Sequence, residues 1–270
     1  GEFVAIVGGS GAGKSTLLDC VNGLRPATDG KIYYDSNDYY ENMNSYKGVI
    51  GYVPQKDILH DDLTVFDALR YTARLRIRAR LPKEELNARV AAAVADVRLQ
   101  GKEKLRISRL SGGQKKRVSI AMELLSDPKI IFLDEPTSGL SPDLDMEMMD
   151  LLKELAAKGR TVVIVTHAME NLDKCDKVAF LGRGGRLCYF GEAAVAMRWF
   201  NRRSYSRIFA SLSDEETSEA FAAKYRAGEY YKKLYAQFTD EYGRGCILPP
   251  ADAQKRERRR PWEMPPESLP

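Results

Sequence analysis

Histidine is almost absent from this chain of 270 residues, which carries only His60 and His167. A lone histidine is usually structural, so each needs a specific reason before it is given chemistry. Cysteine is scarce too. Cys20, Cys175, Cys188 and Cys246 are scattered with no C-x-x-C pair, the usage expected of reduced, mostly buried thiols in a cytoplasmic protein. The first residues show no signal-peptide pattern, and no apolar run approaches the ~18 residues that span a bilayer. Any membrane role is therefore expected to come through a partner or through sequence outside these residues. A net charge of +4 is too small to argue for nucleic acid, and no nucleic-acid partner is expected. There is no initiator methionine, and Gly1 leads almost at once into an apolar run, so an excerpt of a longer polypeptide is expected.

What is present describes an ordinary soluble globular protein: 44% hydrophobic and 30% charged residues, enough for one large domain or two small ones. The most informative stretch comes first. Phe3-Val4-Ala5-Ile6-Val7 reads as a buried strand, followed by Gly8-Gly9-Ser10-Gly11-Ala12-Gly13-Lys14-Ser15-Thr16 and then by helix-forming residues. This is G-x-x-x-x-G-K-S in a strand–loop–helix setting. Gly8, Gly11 and Gly13 let successive backbone N–H groups turn inward toward a phosphate, and the helix adds its positive end. Lys14 can reach the β- and γ-phosphates, and Ser15 offers a hydroxyl to Mg²⁺. The pattern predicts a nucleoside triphosphate site.

Farther along, Asn22–Pro26 stops the first helix, and Lys31–Tyr34 reads as a short strand. The five tyrosines from Tyr33 to Tyr46 are expected to pack and edge a small antiparallel sheet. Val49–Val53 reads as a buried strand ending at Pro54-Gln55. Residues 56–110 are mainly helical, with Thr64 and Asp67 resembling a capping box, and Val65, Ala68, Leu69 and Thr72 on one helical face. Pro82 suits the first turn of a second helix carrying Leu86, Val90, Val94 and Val97. Arg74, Arg76, Arg78 and Arg80 alternate with apolar residues, which spreads charge around a helix and predicts a solvated helix end. Ser111-Gly112-Gly113-Gln114 opens another helix. Ile130–Leu133 is a continuous apolar strand running into Asp134-Glu135. Ser141 is placed to cap the next helix, with Pro142 in its first turn and Leu144, Met148, Leu151, Leu152 and Leu155 on its buried face. Thr161–Val165 is a strand running into Thr166-His167, and Val178–Leu181 and Leu187–Phe190 are two more. Continuous apolar strands alternating with amphipathic helices predict an α/β protein with a mainly parallel sheet covered on both faces.

A phosphate loop alone leaves kinase, GTPase and transport ATPase open. Asp134 and Glu135 end a strand at the edge where a phosphate loop also sits. Asp134 would hold Mg²⁺ directly or through its waters, and Glu135 would polarise the water that attacks the γ-phosphate. Gln55 can bridge Mg²⁺ and that water, and His167, also at a strand end, can hydrogen-bond the γ-phosphate. His60 has no such position and reads as structural.

Taken in order, GGSGAGKST, the Gln55 loop in GYVPQKD, LSGGQKKR at Leu110–Arg117, IIFLDEPTSGL at Ile130–Leu140 and VTH at Val165–His167 resemble the ATP-binding cassette (ABC) ATPases from Phe3 to about Phe200. The resemblance implies a P-loop NTPase fold with a small antiparallel β subdomain and a helical subdomain near 56–110, with ATP and Mg²⁺ as cofactors. Ser111 and the N–H groups of Gly112 and Gly113, with Gln114, begin a helix and so form a second anion site. In the family this site faces the γ-phosphate held by the opposite subunit, which implies a head-to-tail homodimer around two ATP molecules. The stretches KRVSIAMELLSDPKIIFLDEPTSGL and DDLTVFDALRYTARLR are most similar to the G (White) subfamily of exporters and its bacterial forkhead-associated relatives.

Residues 1–200 are then expected to be the ATPase domain without its N-terminal strands, 201–250 a helical extension, and 251–270 a Pro/Arg-rich linker toward a membrane permease domain. The place of work would be the cytoplasmic face of the plasma (inner) membrane. Two departures from the family pattern stand out. Ser141 occupies the place of an aspartate that helps couple the two sites, and the aromatic residue that stacks on adenine belongs to a segment upstream of Gly1, so weak ATP affinity is expected. A non-transport cassette ATPase is the rival reading. Repair types carry a long coiled coil where only positions 56–110 intervene here, and translation types carry a second phosphate loop that this sequence lacks.

Overall fold

The computed structural model describes residues 1–34, 37–46, 48–77 and 81–233. The expected linker at 251–270, the last part of the helical extension, Cys246, and Arg78 and Arg80 lie outside the described residues. In chain order the elements are β1 (Phe3–Gly8), α1 (Lys14–Asn22), β2 (Tyr33–Tyr34), β3 (Asn37–Asp38), α2 (Met43–Tyr46), β4 (Ile50–Val53), α3 (Val65–Arg76), α4 (Lys83–Asp96), α5 (Gly112–Leu124), β5 (Ile130–Asp134), α6 (Pro142–Ala157), β6 (Thr161–Thr166), β7 (Lys177–Gly182), β8 (Arg186–Glu192), α7 (Ala193–Trp199), α8 (Tyr205–Leu212) and α9 (Glu215–Ala227). Among the described residues no helix is long and apolar enough to cross a membrane.

Six strands form one sheet in the order β4-β5-β6-β1-β7-β8, parallel except for β8, which runs antiparallel to β7. Side chains alternate across a strand, so each strand feeds two cores. Phe3, Ala5, Val7, Ile131, Leu133, Val162, Ile164, Val178 and Phe180 face one layer, where Met148, Leu151, Leu152 and Leu155 of α6 meet them. Ile6, Phe132, Val165, Ala179 and Leu181 face the other, where Leu18 of α1 is buried. Burial on both faces is why these strands are continuously apolar. The parallel register sets Val7 beside Thr166, Asp134 beside Val165, and Val53 beside Leu133. All four strand ends therefore open onto one edge. The small β2–β3 ladder forms a separate antiparallel sheet.

The tyrosines do more than edge that ladder. Tyr40, Tyr34 and Tyr39 donate their hydroxyls to the carbonyls of Cys20 (2.9 Å), Val21 (2.7 Å) and Asn22 (2.7 Å), three of the carbonyls that end α1. A helix end leaves carbonyls short of donors; here three phenols supply them, and Cys20 O also accepts from Gly23 N (3.3 Å). The rings of Tyr34, Tyr39 and Tyr46 pack with centroids 4.9 to 5.7 Å apart. Gly23 closes the helix at φ 80°, and a Cβ there would sit 2.5 Å from the Tyr39 hydroxyl, so only glycine fits.

Arg74 and Arg76 lie exposed in the last turn of α3, as a solvated helix end requires, and the Arg76 guanidinium adds a bidentate pair with Glu123 of α5 (2.5 and 2.6 Å), which also accepts from Tyr52 N (3.2 Å). Three local expectations need correction. At α3, Thr64 Oγ1 accepts from Asp67 N (3.1 Å), but the Asp67 carboxylate receives the Thr64 hydroxyl (2.8 Å), not the Thr64 N–H, so the capping box is only half made. Ser141 occupies the cap position of α6 but makes no side-chain cap bond. Leu144 is exposed, because it leans toward Gly113 of α5 and away from the core.

Beyond β8, α7, α8 and α9 bring Phe200, Ile208, Phe209, Leu212 and Tyr225 into the same core as the sheet. Tyr225 donates its hydroxyl to Phe190 O (3.0 Å), and fully buried Ser218 donates to Leu212 O (2.8 Å) while accepting from Arg183 N (3.2 Å).

Tyr39→Phe should lower stability by about 1 kcal/mol, because it leaves the Asn22 carbonyl without its donor while conserving the ring. Urea unfolding should show a lower midpoint with an unchanged slope; an unchanged midpoint would show that the cap is idle.

Candidate functional site

The site is built where β1, β4, β5 and β6 end. After β1 the backbone turns through Gly11 (φ 77°) and Gly13 (φ 84°), left-handed conformations that disfavour any residue with a Cβ. Gly8 is needed for another reason, since a Cβ would lie 2.5 Å from the Leu181 carbonyl of the neighbouring strand. Gly13 is the cap residue of α1 and offers no side chain, so the first N–H groups of the helix have no side-chain acceptor. Gly9, Ser10, Ala12, Ser15 and Thr16 complete the loop and the helix start around them.

Lys14 is buried, and its ammonium donates back to Gly8 O (2.9 Å) and Gly9 O (3.0 Å). Burial lowers its pKa, an effect that Glu135 and Asp134 oppose. Asp134, at the end of β5, is 9% exposed and accepts from Ser15 Oγ at 3.4 Å. Its pKa is raised, chiefly by burial and further by the negative charge of Glu135. Both charged groups are thus held in surroundings that favour their neutral forms, as expected of a pocket that gains a charged ligand.

Glu135 adopts φ 48°, a left-handed conformation that costs a residue with a Cβ about 1 kcal/mol. Its N–H donates to Val165 O (2.8 Å), which ties it to β6. Its carboxylate is held between two strand ends: Oε2 accepts from Gln55 Nε2 (3.3 Å) after β4, and Oε1 lies 3.0 Å from His167 Nδ1 after β6. The Thr166 hydroxyl accepts from Ala168 N (2.9 Å) and shapes the His167 turn. Gln55, Glu135 and His167 therefore meet in space, beside Lys14, Ser15 and Asp134.

Among the described residues no side-chain hydrogen bond or ion pair joins Ser111, Gly112, Gly113 or Gln114 to that group. Ser111 Oγ accepts from Gln114 N (3.3 Å) and Gln114 Oε1 accepts from Ser111 N (3.1 Å), a complete capping box. The closest side chains to the Gly113 backbone face are Leu140 and Leu144, in the segment after Glu135. His60 is exposed, and its carbonyl accepts from Leu63 N (3.1 Å).

Ser15 Oγ, the Asp134 carboxylate and the Gln55 amide oxygen are hard oxygen donors, the set that Mg²⁺ takes together with phosphate oxygens and water. Among the described residues no three His, Cys, Asp or Glu side chains converge as a self-contained metal site. The donor set therefore fits a cation brought in with a phosphate ligand.

The sequence reading missed Lys116. Its side chain is 7% exposed and donates to Pro54 O (3.2 Å) and Gln55 O (2.9 Å), while pairing with Asp57 Oδ1 (2.9 Å). The available signal was its place in α5, where Gly113, Lys116 and Ile120 share one buried stripe. A cation in such a stripe implies buried acceptors. A groove of about 1070 Å³ lies alongside, lined by Leu24, Tyr52, Ile58, Tyr71, Leu75 and Met122 among others.

Because burial raises the Asp134 pKa, the ionised carboxylate opposes folding above the ordinary carboxylate range and is neutral below it. Asp134→Asn should therefore raise the melting temperature of the ligand-free protein at pH 7 by roughly 2 °C. The gain should vanish as pH falls below the ordinary carboxylate range. A melting series across pH checks both halves.

Comparison with known proteins bears on this geometry. The family described as "ABC transporter" matches residues 1–138. The ABC transporter ATP-binding/permease protein Rv1747 of Mycobacterium tuberculosis is 38% identical over 227 residues, covering 84% of this chain and 26% of that protein. The chain thus spans about a quarter of the length of that relative. Among solved structures, cbiO1 of Clostridium perfringens, part of the transporter complex cbiONQ, superposes with a TM-score of 0.66 at 32% identity, over 77% of this chain and 86% of that one. The dimeric ATP-binding cassette MJ0796, bound to ADP and Pi in a post-hydrolysis state, gives a TM-score of 0.62 at 31% identity, over 71% and 85%. With a family match over half its length and the strand-end geometry already described, the chain belongs to the ABC transporter family and is an ATP-binding, ATPase domain of that family.

Proposed function

We propose that this domain hydrolyses ATP with Glu135 as general base and that it drives an exporter as a head-to-tail dimer. The observation that supports this best is the Glu135 carboxylate, gripped between Gln55 and His167 beside the phosphate loop. Lys14 and the loop N–H groups bind the β- and γ-phosphates. Phosphate oxygens replace the Gly8 and Gly9 carbonyls as partners of the buried ammonium, exchanging neutral acceptors for charged ones. Ser15, Asp134 and Gln55 would hold Mg²⁺, which would neutralise charge on the phosphates. Gln55 and His167 occupy both oxygens of Glu135 in the ligand-free geometry. His167 is exposed just beyond a strand end, so a γ-phosphate can draw its ring away and leave Oε1 to take the proton of the attacking water. Ser111 and the N–H groups of Gly112 and Gly113 complete the site of a second copy, since among the described residues no side-chain hydrogen bond or ion pair joins them to the chain's own Lys14.

Export, rather than uptake, is supported by the G-subfamily resemblance. A permease region in the same polypeptide is supported by the combined ATP-binding/permease name of the Mycobacterium relative. The groove beside Gln55 suits docking of such a membrane region: Leu24, Ile58 and Leu75 are 63%, 81% and 87% exposed there. Its wall includes Tyr52, Val53 and Pro54, the strand end that carries Gln55, so contact in the groove bears on the hydrolytic group. The working place is the cytoplasmic face of the plasma (inner) membrane.

Glu135→Gln should cut turnover by about 100-fold or more while an ATP-bound dimer accumulates, seen by light scattering coupled to gel filtration. Near-normal hydrolysis would overturn the assignment of the base. Leu75→Glu should leave nucleotide affinity unchanged yet weaken binding of this domain to a separately expressed membrane region in a pull-down; unchanged binding would remove the groove from the interface.

A further inference from the structure

We propose that Lys116 is a positioning residue that ties the Ser111–Gln114 turn to Gln55, so that the two half-sites carried by one chain respond to each other. The proposal rests on the roles given above to Gln55 and Ser111. An ammonium has three protons to donate, and Lys116 has three acceptors: Pro54 O, Gln55 O and Asp57 Oδ1. Asp57 Oδ1 is itself fixed by Ser119 Oγ at 2.8 Å, from one turn farther along the same helix. A buried charge with every donor used holds its partners in one geometry, because shifting any of them strands a proton away from water. The backbone on both sides of Gln55 is therefore pinned to α5.

That helix begins at the Ser111 cap, and Lys116 lies five residues on, about 7.5 Å along a rigid helix. A displacement of the turn when a partner's phosphate docks on Ser111 and Gly113 is carried by the helix to Lys116 and from there to Gln55. The receiving contact is poised to register it. Gln55 Nε2 lies 3.3 Å from Glu135 Oε2, at the long end of the hydrogen-bond range, where a shift of a few tenths of an ångström makes or breaks the bond. An apolar residue at position 116 would fill the same space but could not hold two carbonyls. The link thus runs from the site a chain lends to its partner to the site it keeps.

The test uses the intact protein with Lys116→Met, Lys116→Arg, Gln55→Ala and the Lys116→Met/Gln55→Ala double variant. Melting temperature, affinity for a fluorescent ATP analogue, kcat, KM and the Hill coefficient of hydrolysis are measured for each. Lys116→Met should keep nucleotide affinity within about two-fold and lose about ten-fold in kcat, with the Hill coefficient falling toward 1. Lys116→Arg should recover part of the loss, and the double variant should be no slower than Gln55→Ala alone, because Lys116 acts through that side chain. Unchanged kcat and Hill coefficient in Lys116→Met would overturn the link. So would multiplying losses in the double variant, or affinity and kcat falling together with melting temperature. If Lys116→Met does not fold, Asp57→Asn loosens the same anchor and is held to the same outcomes. Normal kcat in Gln55→Ala would instead overturn the role of Gln55. A slow Gln55→Ala beside an unaltered Lys116→Met defeats only the link.

Discussion

Parallel backbone pairing between β4, β5, β6 and β1 places every group of the site. Each ladder fixes its neighbour to within one residue, since a slip of one would turn the apolar set of a strand from one face to the other. Both faces are buried but packed by different side chains, so a slip would carry Ile131 and Leu133 out of the α6 layer and Phe132 into it, breaking the fit of both layers. The rows Val53–Leu133, Asp134–Val165 and Val7–Thr166 are thus enforced by packing far from the site. The phosphate loop, Gln55, Glu135 and His167 each begin one or two residues beyond those rows. Catalytic spacing here is inherited from the hydrophobic core.

Charge is distributed on the same edge in a way that leaves room for a ligand. Lys14 and Asp134 are both desolvated, both are shifted toward neutrality, and neither pairs closely with the other. Phosphate and a divalent cation would supply the charges that such a pocket leaves unmatched. Glu135 adds backbone strain to the same edge. Its left-handed φ aims the carboxylate between two loops and away from the helix that follows.

The legible parts of the sequence were those governed by one local rule. Strand ends, glycine turns, the helix start at Ser111 and the buried stripe of α6 from Met148 onward follow from spacing and residue type. The grouping of Gln55, Glu135 and His167 was legible because each ends an apolar strand. What escaped depends on what lies opposite a residue. The alternating arginines gave no sign that Arg76 would find Glu123, because that partner is 47 residues away on a helix whose angle to α3 only packing decides. Leu144 matches the helical period of α6, yet in the first turn of that helix it is exposed and its side chain approaches Gly113 of α5. Tyrosines read as strand formers, and only the assembled fold reveals that their hydroxyls reach a helix end.

That phenol cap has a further consequence. α1 has nine residues, too few for a stable helix in isolation, and it is held at both ends by fixed geometry: glycine turns at the loop and tyrosine hydroxyls at Cys20, Val21 and Asn22. Inserting or deleting one residue would turn the far carbonyls by about 100° and displace them by about 1.5 Å, away from all three hydroxyls at once. Exposed side chains of α1 such as Leu17 can change one at a time, but its length cannot. The helix behaves as a gauge block, and any change in the spacing between the phosphate loop and the small sheet has to be absorbed in the turns beyond Gly23.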